Sequence, residues 1–396
     1  MKIKKNHNLI DDILVFFYSI NLIAGILVHS TIDASISILS NVQIASSIAF
    51  FILSVFFKRF TLEQLVVGFL GILVTLLSWK ANGADSEFFY IMLLIIGGSL
   101  INPRKILKCT AVITTLMLIL LVSLSKVGVI QNLLFWREGS MRQSFGTVYP
   151  LIFAAYVFYD IVVISLNSFS NQANFGWAGI VLALAIFVNN TTEARNDALS
   201  LLAIALIFCI NFRKIKNIAL LTKIGLIVAN ILAVIAVFIS KIVPNQSNLY
   251  YILDKLFSNR LYLQSILFNR YKIGILGQDI PQIGFGGQTA NVQAYFYIDS
   301  SYTRIFFMGG IALFIIMLYI LWKFVSKLIQ LKLYRQAWII IVVMLSALTE
   351  DSFSSLGVNI LVPILMCTKP MIEDSFSSLL VERTNNRPIK LHRLLN

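Results

Sequence analysis

The feature that most constrains this chain is the recurrence of apolar runs about twenty residues long and almost free of charge. "LVVGFLGILVTLL" holds no charge, and the run 218–239 holds one, Lys223. That length lets a helix cross the hydrocarbon core of a bilayer. In lipid the backbone must satisfy its own hydrogen bonds, so the helix is the natural form for such runs. Composition agrees: 58% of the residues are hydrophobic and 13% charged, against about 25% charged in a soluble domain. The expected fold is an all-α, polytopic integral membrane protein, a single membrane-embedded domain over residues 1–396.

Apolar runs fall near 13–30, 35–57, 62–79, 87–101, 107–125, 147–168, 174–190, 196–212, 218–240, 303–322, 335–349 and 353–368. These give about twelve helices, or ten to twelve because the fourth and the last two are short. The first run lacks a small-residue cleavage pattern and further spans follow at once, so it reads as a retained helix.

The net charge of +14 does not call for nucleic acid, because basic residues gather in the cytoplasmic loops of membrane proteins. With the N-terminus inside, 21 of the 32 basic residues fall inside and 11 outside. This orientation puts both termini, including a tail over 369–396, in the cytoplasm. It also places Cys109, Cys209 and Cys367 at reducing inner ends, where no disulfide framework is expected. The outer basic residues include six arginines, and arginine is the better fork for phosphate or carboxylate.

One outer loop is long, spanning 241–302. From Leu249 to Tyr271 its apolar spacing is helical, which fits an amphipathic helix on the outer surface. Glycines from Gly274 to Gly287 then mark irregular backbone.

Four charged stretches stand at the outer face. In "FWREGSMRQSFGTVYP", Arg137 and Arg142 flank Gly139; the plain alternative is a headgroup anchor built on Trp136 and Arg137. In "NNTTEARNDALSLL", Asn196 or Asp197 offers a helix cap. Capping does not account for Arg195, which adds positive charge to a helix start and so makes an anion site; Glu193 precedes it. In "SNRLYLQSILFNRYKIG", Arg260 and Arg270 are ten apart, close to three helical turns, which allows one shared face. In "IDSSYTR", Asp299 and Arg304 stand at the mouth of a helix, and Tyr297 and Tyr302 offer faces to sugars. Asp299 as a cap is the alternative there. Glu350 and Asp351 in "SALTEDSF" form a turn or hold an arginine in place. No metal or cofactor site is evident, and no DxD-type pair stands in an outer loop.

With these stretches in view, the chain resembles the Wzy-type polysaccharide polymerases of the O-antigen polymerase and ligase superfamily. "REGSMRQSFGTVYP", "NNTTEARNDALSLL", "NRLYLQSILFNRYKIGILGQDI" and "YIDSSYTRIFFMGGIALF" carry the resemblance, the last two most like Gram-positive capsule and exopolysaccharide members. It covers most of the chain and is weakest in the first five helices and the tail. The resemblance implies a bacterial cell-membrane enzyme with an outward-facing site. Its reaction would be metal-independent glycosyl transfer, in which a glycan on polyprenyl diphosphate passes to the next lipid-linked repeat. Arg195, Arg142, Glu193 and Asp299 would then be catalytic. Arg137, Arg260, Arg270, Tyr302, Arg304 and Glu350 would bind substrate. Glu193, Asp299 and Glu350 all remain open as the general base. Expected partners are the polyprenyl-diphosphate-linked oligosaccharide, membrane lipid, and chain-length regulator and flippase proteins, with no nucleic acid.

Two other classes compete. A ligase would use the same donor, but family ligases carry a loop histidine that this loop lacks. A transporter or flippase would show broken helices and interior charges, whereas here the spans are nearly charge-free apart from Asp160 and Lys223.

Overall fold

The computed structural model describes residues 2–137, 139–167, 171–243, 247–256, 260–284 and 293–375. It is 72% helical, and eight of its helices are long and apolar enough to cross a membrane. The chain is an all-α polytopic membrane protein. The elements run α1 (Lys2–Val28), α2 (Ile36–Phe57), α3 (Leu62–Asn82), α4 (Glu87–Gly98) and α5 (Pro103–Val127). A hairpin follows, β1 (Leu134–Arg137) and β2 (Ser140–Gln143). Then come α6 (Pro150–Asn167), α7 (Phe175–Thr192), α8 (Arg195–Cys209) and α9 (Ile218–Ile242). The long loop carries α10 (Asn248–Leu256) and α11 (Arg260–Arg270), and the chain closes with α12 (Ser301–Arg304), α13 (Gly310–Gln330) and α14 (Tyr334–Ser346).

The helices are sorted by what they bury. In α2 the buried residues are Gln43, Ser46, Ser47, Phe50 and Ser54, and in α3 they are Gln64, Gly68, Gly71, Thr75 and Ser78. Large apolar side chains such as Phe56 and Phe69 lie outward instead. Helices in lipid gain nothing by hiding leucine from an equally apolar solvent. They associate through small residues and hydrogen bonds worth about 0.6 to 2 kcal/mol each. Asn21 of α1 is one such bond-maker, donating to Gln43 O and Ser47 Oγ of α2, each at 2.7 Å.

Two places depart from the expected spans. The run 353–368 is not a helix. It is irregular backbone with short 3-10 turns at Ser352–Ser354 and Val362–Ile364, and nearly all of it is buried. Irregular backbone survives at membrane depth only where protein covers it and satisfies its polar groups. Tyr18 Oη donates to Ile360 O at 3.0 Å, Gln64 Nε2 to Met366 O at 3.2 Å, and Asn359 Nδ2 to Phe353 O at 2.8 Å. This segment packs against α4, whose twelve residues reach only about 18 Å at 1.5 Å each. A Cβ on Gly98 would stand 2.2 Å from Pro363 O, so the close approach requires glycine there.

The other departure is the span 301–330. After α12 it makes a π-turn over Ile305–Gly309, then turns through Gly310 at φ 88° before α13. Backbone from the long loop fills the break. Ile311 N and Ala312 N donate to Gly274 O and Ile275 O, each at 3.1 Å. Gly277 is held in turn by Ser78 Oγ, which accepts its N–H, and by Asn82 Nδ2, which donates to its carbonyl, each at 2.9 Å. The loop is therefore stitched to both α3 and α13.

In place of one amphipathic helix over 249–271, the loop has α10 and α11, with 257–259 outside the described residues. Residues 285–292 and 376–396, which include most of the predicted tail, also lie outside them. Ion pairs gather at the two opposite ends of the bundle. Lys58–Asp11, Lys105–Asp12 and Lys323–Glu63 lie at one end. The arginine–carboxylate pairs of the next section lie at the other.

Candidate functional site

The site is built around two arginines. Arg304 is buried at the start of the broken span. Its Nη1 lies 3.2 Å from Asp351, and its Nη2 lies 3.4 Å from Asp85 and 3.8 Å from Glu87. Three elements meet at one guanidinium, because Asp85 and Glu87 open α4 while Asp351 follows α14. Tyr297 Oη donates to the same Asp351 at 2.6 Å. The Asp351 charge and burial hold the Tyr297 hydroxyl well above its usual range, so it stays a donor.

Arg260 opens α11. Its Nε lies 3.3 Å from Asp299 and its Nη2 3.6 Å from Glu350, while Nη1 donates to Thr349 O. Burial works against its charge, but Asp299 and Glu350 outweigh that and raise its pKa. Glu350 is pushed up to about 7 by burial, which Arg260 opposes and Asp351 and Asp299 reinforce. Its backbone is pinned as well, since Ser301 N donates to Glu350 O at 2.9 Å.

Beside Arg260 is a cavity of about 290 Å³ with two kinds of wall. Arg260, Asp299 and Asn196 supply polar atoms, while Ile235 and Ile239 of α9 and Leu263 of α11 supply hydrocarbon. Toward the outside of the bundle α9 presents Ile231 and Val234, both exposed. The cavity is therefore a charged head at the end of an apolar trough.

The hairpin forms a second group. Phe135 pairs with Arg142 and Trp136 with Met141. Side chains alternate across a strand, so Phe135 and Arg142 turn inward and are buried, while Trp136 and Met141 face out. Arg142 Nε donates to Thr192 O at 2.7 Å, which caps the C-terminus of α7, and the guanidinium lies 5.5 Å over the Tyr149 ring. Its Nη2 is buried without a partner. Ser140 Oγ donates to Glu193, the residue that turns α7 into α8 at φ 51°.

The sequence-predicted residues fall into distinct settings. Asp299, Arg260 and Glu350 come together at the cavity, with Arg304 and Asp351 in the adjoining network. Glu193 and Arg142 lie under the hairpin. Arg195 is the first residue of α8 and is exposed. Arg270 is also exposed, with its guanidinium 5.9 Å over Phe296. Arg260 and Arg270 thus occupy different environments, since ten residues at about 100° each leave them about 80° apart. Arg137 ends β1, and its side chain lies outside the described residues. Tyr302 presents no face to a ligand: it is 1% exposed, and its hydroxyl donates to Met344 O at 3.0 Å. Neither proposed cap forms. Ser300 caps α12 in place of Asp299, and α8 starts at Arg195, which puts Asn196 and Asp197 inside its first turn.

Asp85 and Glu87 were not singled out from the sequence. The signal was there in "ADSEFFY", two carboxylates opening a short apolar run. Among the described residues, no group of three His, Cys, Asp or Glu is placed to hold a metal ion. Comparison with protein-family models, with curated proteins and with solved structures finds no match.

Proposed function

We propose that this chain is a polymerase that joins polyprenyl-diphosphate-linked oligosaccharide repeats into a cell-surface polysaccharide. The observation that carries the proposal is the amphipathic cavity. A lipid-linked diphosphate needs cationic forks at the depth of the membrane surface and an apolar path for its chain. The arginine head and the trough along α9 and α11 offer both. The sequence resemblance adds the reaction class. In the transfer, the acceptor hydroxyl loses its proton to a carboxylate and forms a bond to the anomeric carbon of the donor. The bond from that carbon to the diphosphate breaks, and its electron pair leaves with the lipid diphosphate. Asp299 lines the cavity and is the best placed acceptor for the proton. A diphosphate that engages Arg260 would loosen the Arg260–Asp299 pair and leave that carboxylate available. Arg195, exposed at the start of α8, adds a fork from the neighbouring connector, and Arg142 braces that connector from below.

The helix break at Gly310 favours a second reading, a transporter, because discontinuous helices mark such proteins. Loop backbone fills this break, however, with Gly274 O and Ile275 O accepting from Ile311 N and Ala312 N. Asp160, the main interior charge, is buried in α6 and accepts from Thr115 Oγ1 of α5 at 2.7 Å.

Purified protein supplied with lipid-linked repeat units should yield a ladder of longer glycans with no nucleotide sugar and with divalent metal chelated. Movement of the unit between leaflets without lengthening would favour the transporter. Transfer only to a different acceptor would favour a ligase.

A further inference from the structure

After Arg260, α11 lines the cavity with Leu261, Leu263, Gln264 and Leu267. Gln264 is the polar member of that set, and the proposed reaction does not use it. Its amide is engaged by two other walls of the cavity. Nε2 donates to Ala236 O of α9 at 2.6 Å, to Val237 O of α9 at 3.0 Å and to Thr303 Oγ1 of α12 at 3.1 Å. Oε1 accepts from Ser240 N of α9 at 3.1 Å. Its two amide hydrogens meet three acceptors, so at least one hydrogen is shared. Ala236 O and Ser240 N are four residues apart, the pair that an α-helix joins to each other. The amide clasps both ends of that rung, and Thr303 ties it to the residue before Arg304.

Gln264 follows Arg260 by four residues, so the two share one face of α11. The far end of α11 is anchored by Phe268, whose ring centroid lies 4.9 Å from that of Phe307 and 6.0 Å from that of Phe238. The near end has thinner packing, since Leu261 joins Val243 and Tyr250 in a small cluster apart from the main core. Arg260 itself is tied there by Asp299 and Glu350, and those are the partners that a diphosphate would displace. A guanidinium that exchanges partners needs a mount that does not depend on them. We propose that Gln264 is that mount, a positioning residue whose clasp on α9 and α12 fixes the start of α11 and holds Arg260 at the head of the cavity. This rests on the polymerase reading for turnover but not for the placement of α11. Gln264 acts through Arg260 and touches no reacting atom.

The test places spin labels at Tyr262 of α11 and Ile231 of α9, both exposed, in the full-length protein with Cys109 and Cys209 replaced. The distance between the labels should be single and narrow in otherwise wild-type protein and in Arg260→Met. It should broaden or shift in Gln264→Met, which keeps the length of the side chain without its hydrogen bonds. Gln264→Asn keeps the amide one methylene short of its partners and should broaden it too, which answers the question if the methionine variant does not fold. An unchanged distance in a folded Gln264 variant overturns the proposal. So does broadening in Arg260→Met, because the ion pairs would then be the mount. In the glycan-lengthening assay, Gln264→Met should lower kcat/KM about 10- to 100-fold. The loss should be smaller when Arg260→Lys is already present, because the two residues act as one unit. Equal losses in both backgrounds would mean packing alone and overturn the positioning role. The expected distances with no lengthening by the wild-type protein would sink the polymerase and leave the mount standing.

Discussion

Arg304→Met removes the charge that three carboxylates share and keeps most of the side-chain volume. The Arg304 side chain is 8% exposed, whereas Asp85, Glu87 and Asp351 are 26%, 35% and 24% exposed. Breaking a buried ion pair costs about 3–5 kcal/mol, chiefly because the partner is left charged and buried. Here water reaches the acids better than the arginine, so the lower end applies, about 3 kcal/mol. Denaturation midpoints in mixed micelles would measure it. Because the cost lies in stranded negative charge, adding Asp351→Asn to Arg304→Met should restore about 1 kcal/mol, even though two residues are then changed. The amide oxygen introduced by that second change can still accept the Tyr297 hydroxyl bond. Arg304→Lys should recover only part of the loss, since one ammonium cannot reach all three partners at 3.2 to 3.8 Å. A stable Arg304→Met protein, or a double variant less stable than the single, would refute the stranded-charge explanation.

Arg195→Ala should lower turnover by about 100-fold, roughly 2.7 kcal/mol, with little recovery in Arg195→Lys; polymer length at matched membrane levels measures it, and full-length polymer would return Arg195 to a solvated turn. Gly310→Ala places a Cβ 2.4 Å from the Leu276 carbonyl carbon at φ 88°, so it should cost well over the roughly 1 kcal/mol of backbone strain alone. Gly139→Ala, at φ 87° with nothing within 4 Å, gives that strain by itself, and equal midpoints for the two would show that the loop does not clamp the break. Cysteines placed at Asn269 and Gln330, with Cys209 replaced, should react with an impermeant thiol reagent from opposite sides of the membrane. Reaction of both from the outer side would contradict the orientation drawn from the basic residues.

Ten of the twelve expected spans match helices closely, α1–α9 and α14, because charge-free apolar runs leave the backbone no other way to satisfy itself in lipid. The run 353–368 misled for the same reason. Hydropathy reports burial, and burial against α4 is as apolar as burial in lipid. Gly310 was visible as "MGG" in an apolar run, but the loop backbone that fills its break is more than thirty residues away in sequence. The hairpin was legible in principle, from the alternation of Phe135, Trp136, Met141 and Arg142 about Gly139. For the site, Glu350 and Asp351 were read as a turn or as arginine holders. Which arginine each holds, Arg260 or Arg304, depends on tertiary contacts that no local pattern encodes. Tyr302 shows the converse limit: an aromatic beside a charged loop reads as a sugar platform until packing turns it inward.

The count of lipid diphosphate released per glycosidic bond formed tests the polymerase most directly. Proteoliposomes holding the purified protein and a repeat unit labelled in both its lipid phosphates and its sugar would be sampled over time. One lipid diphosphate freed for each new bond, with glycan still attached to lipid, is the predicted result. Sugar that stays on its original lipid while changing leaflet, with no diphosphate freed, would contradict it.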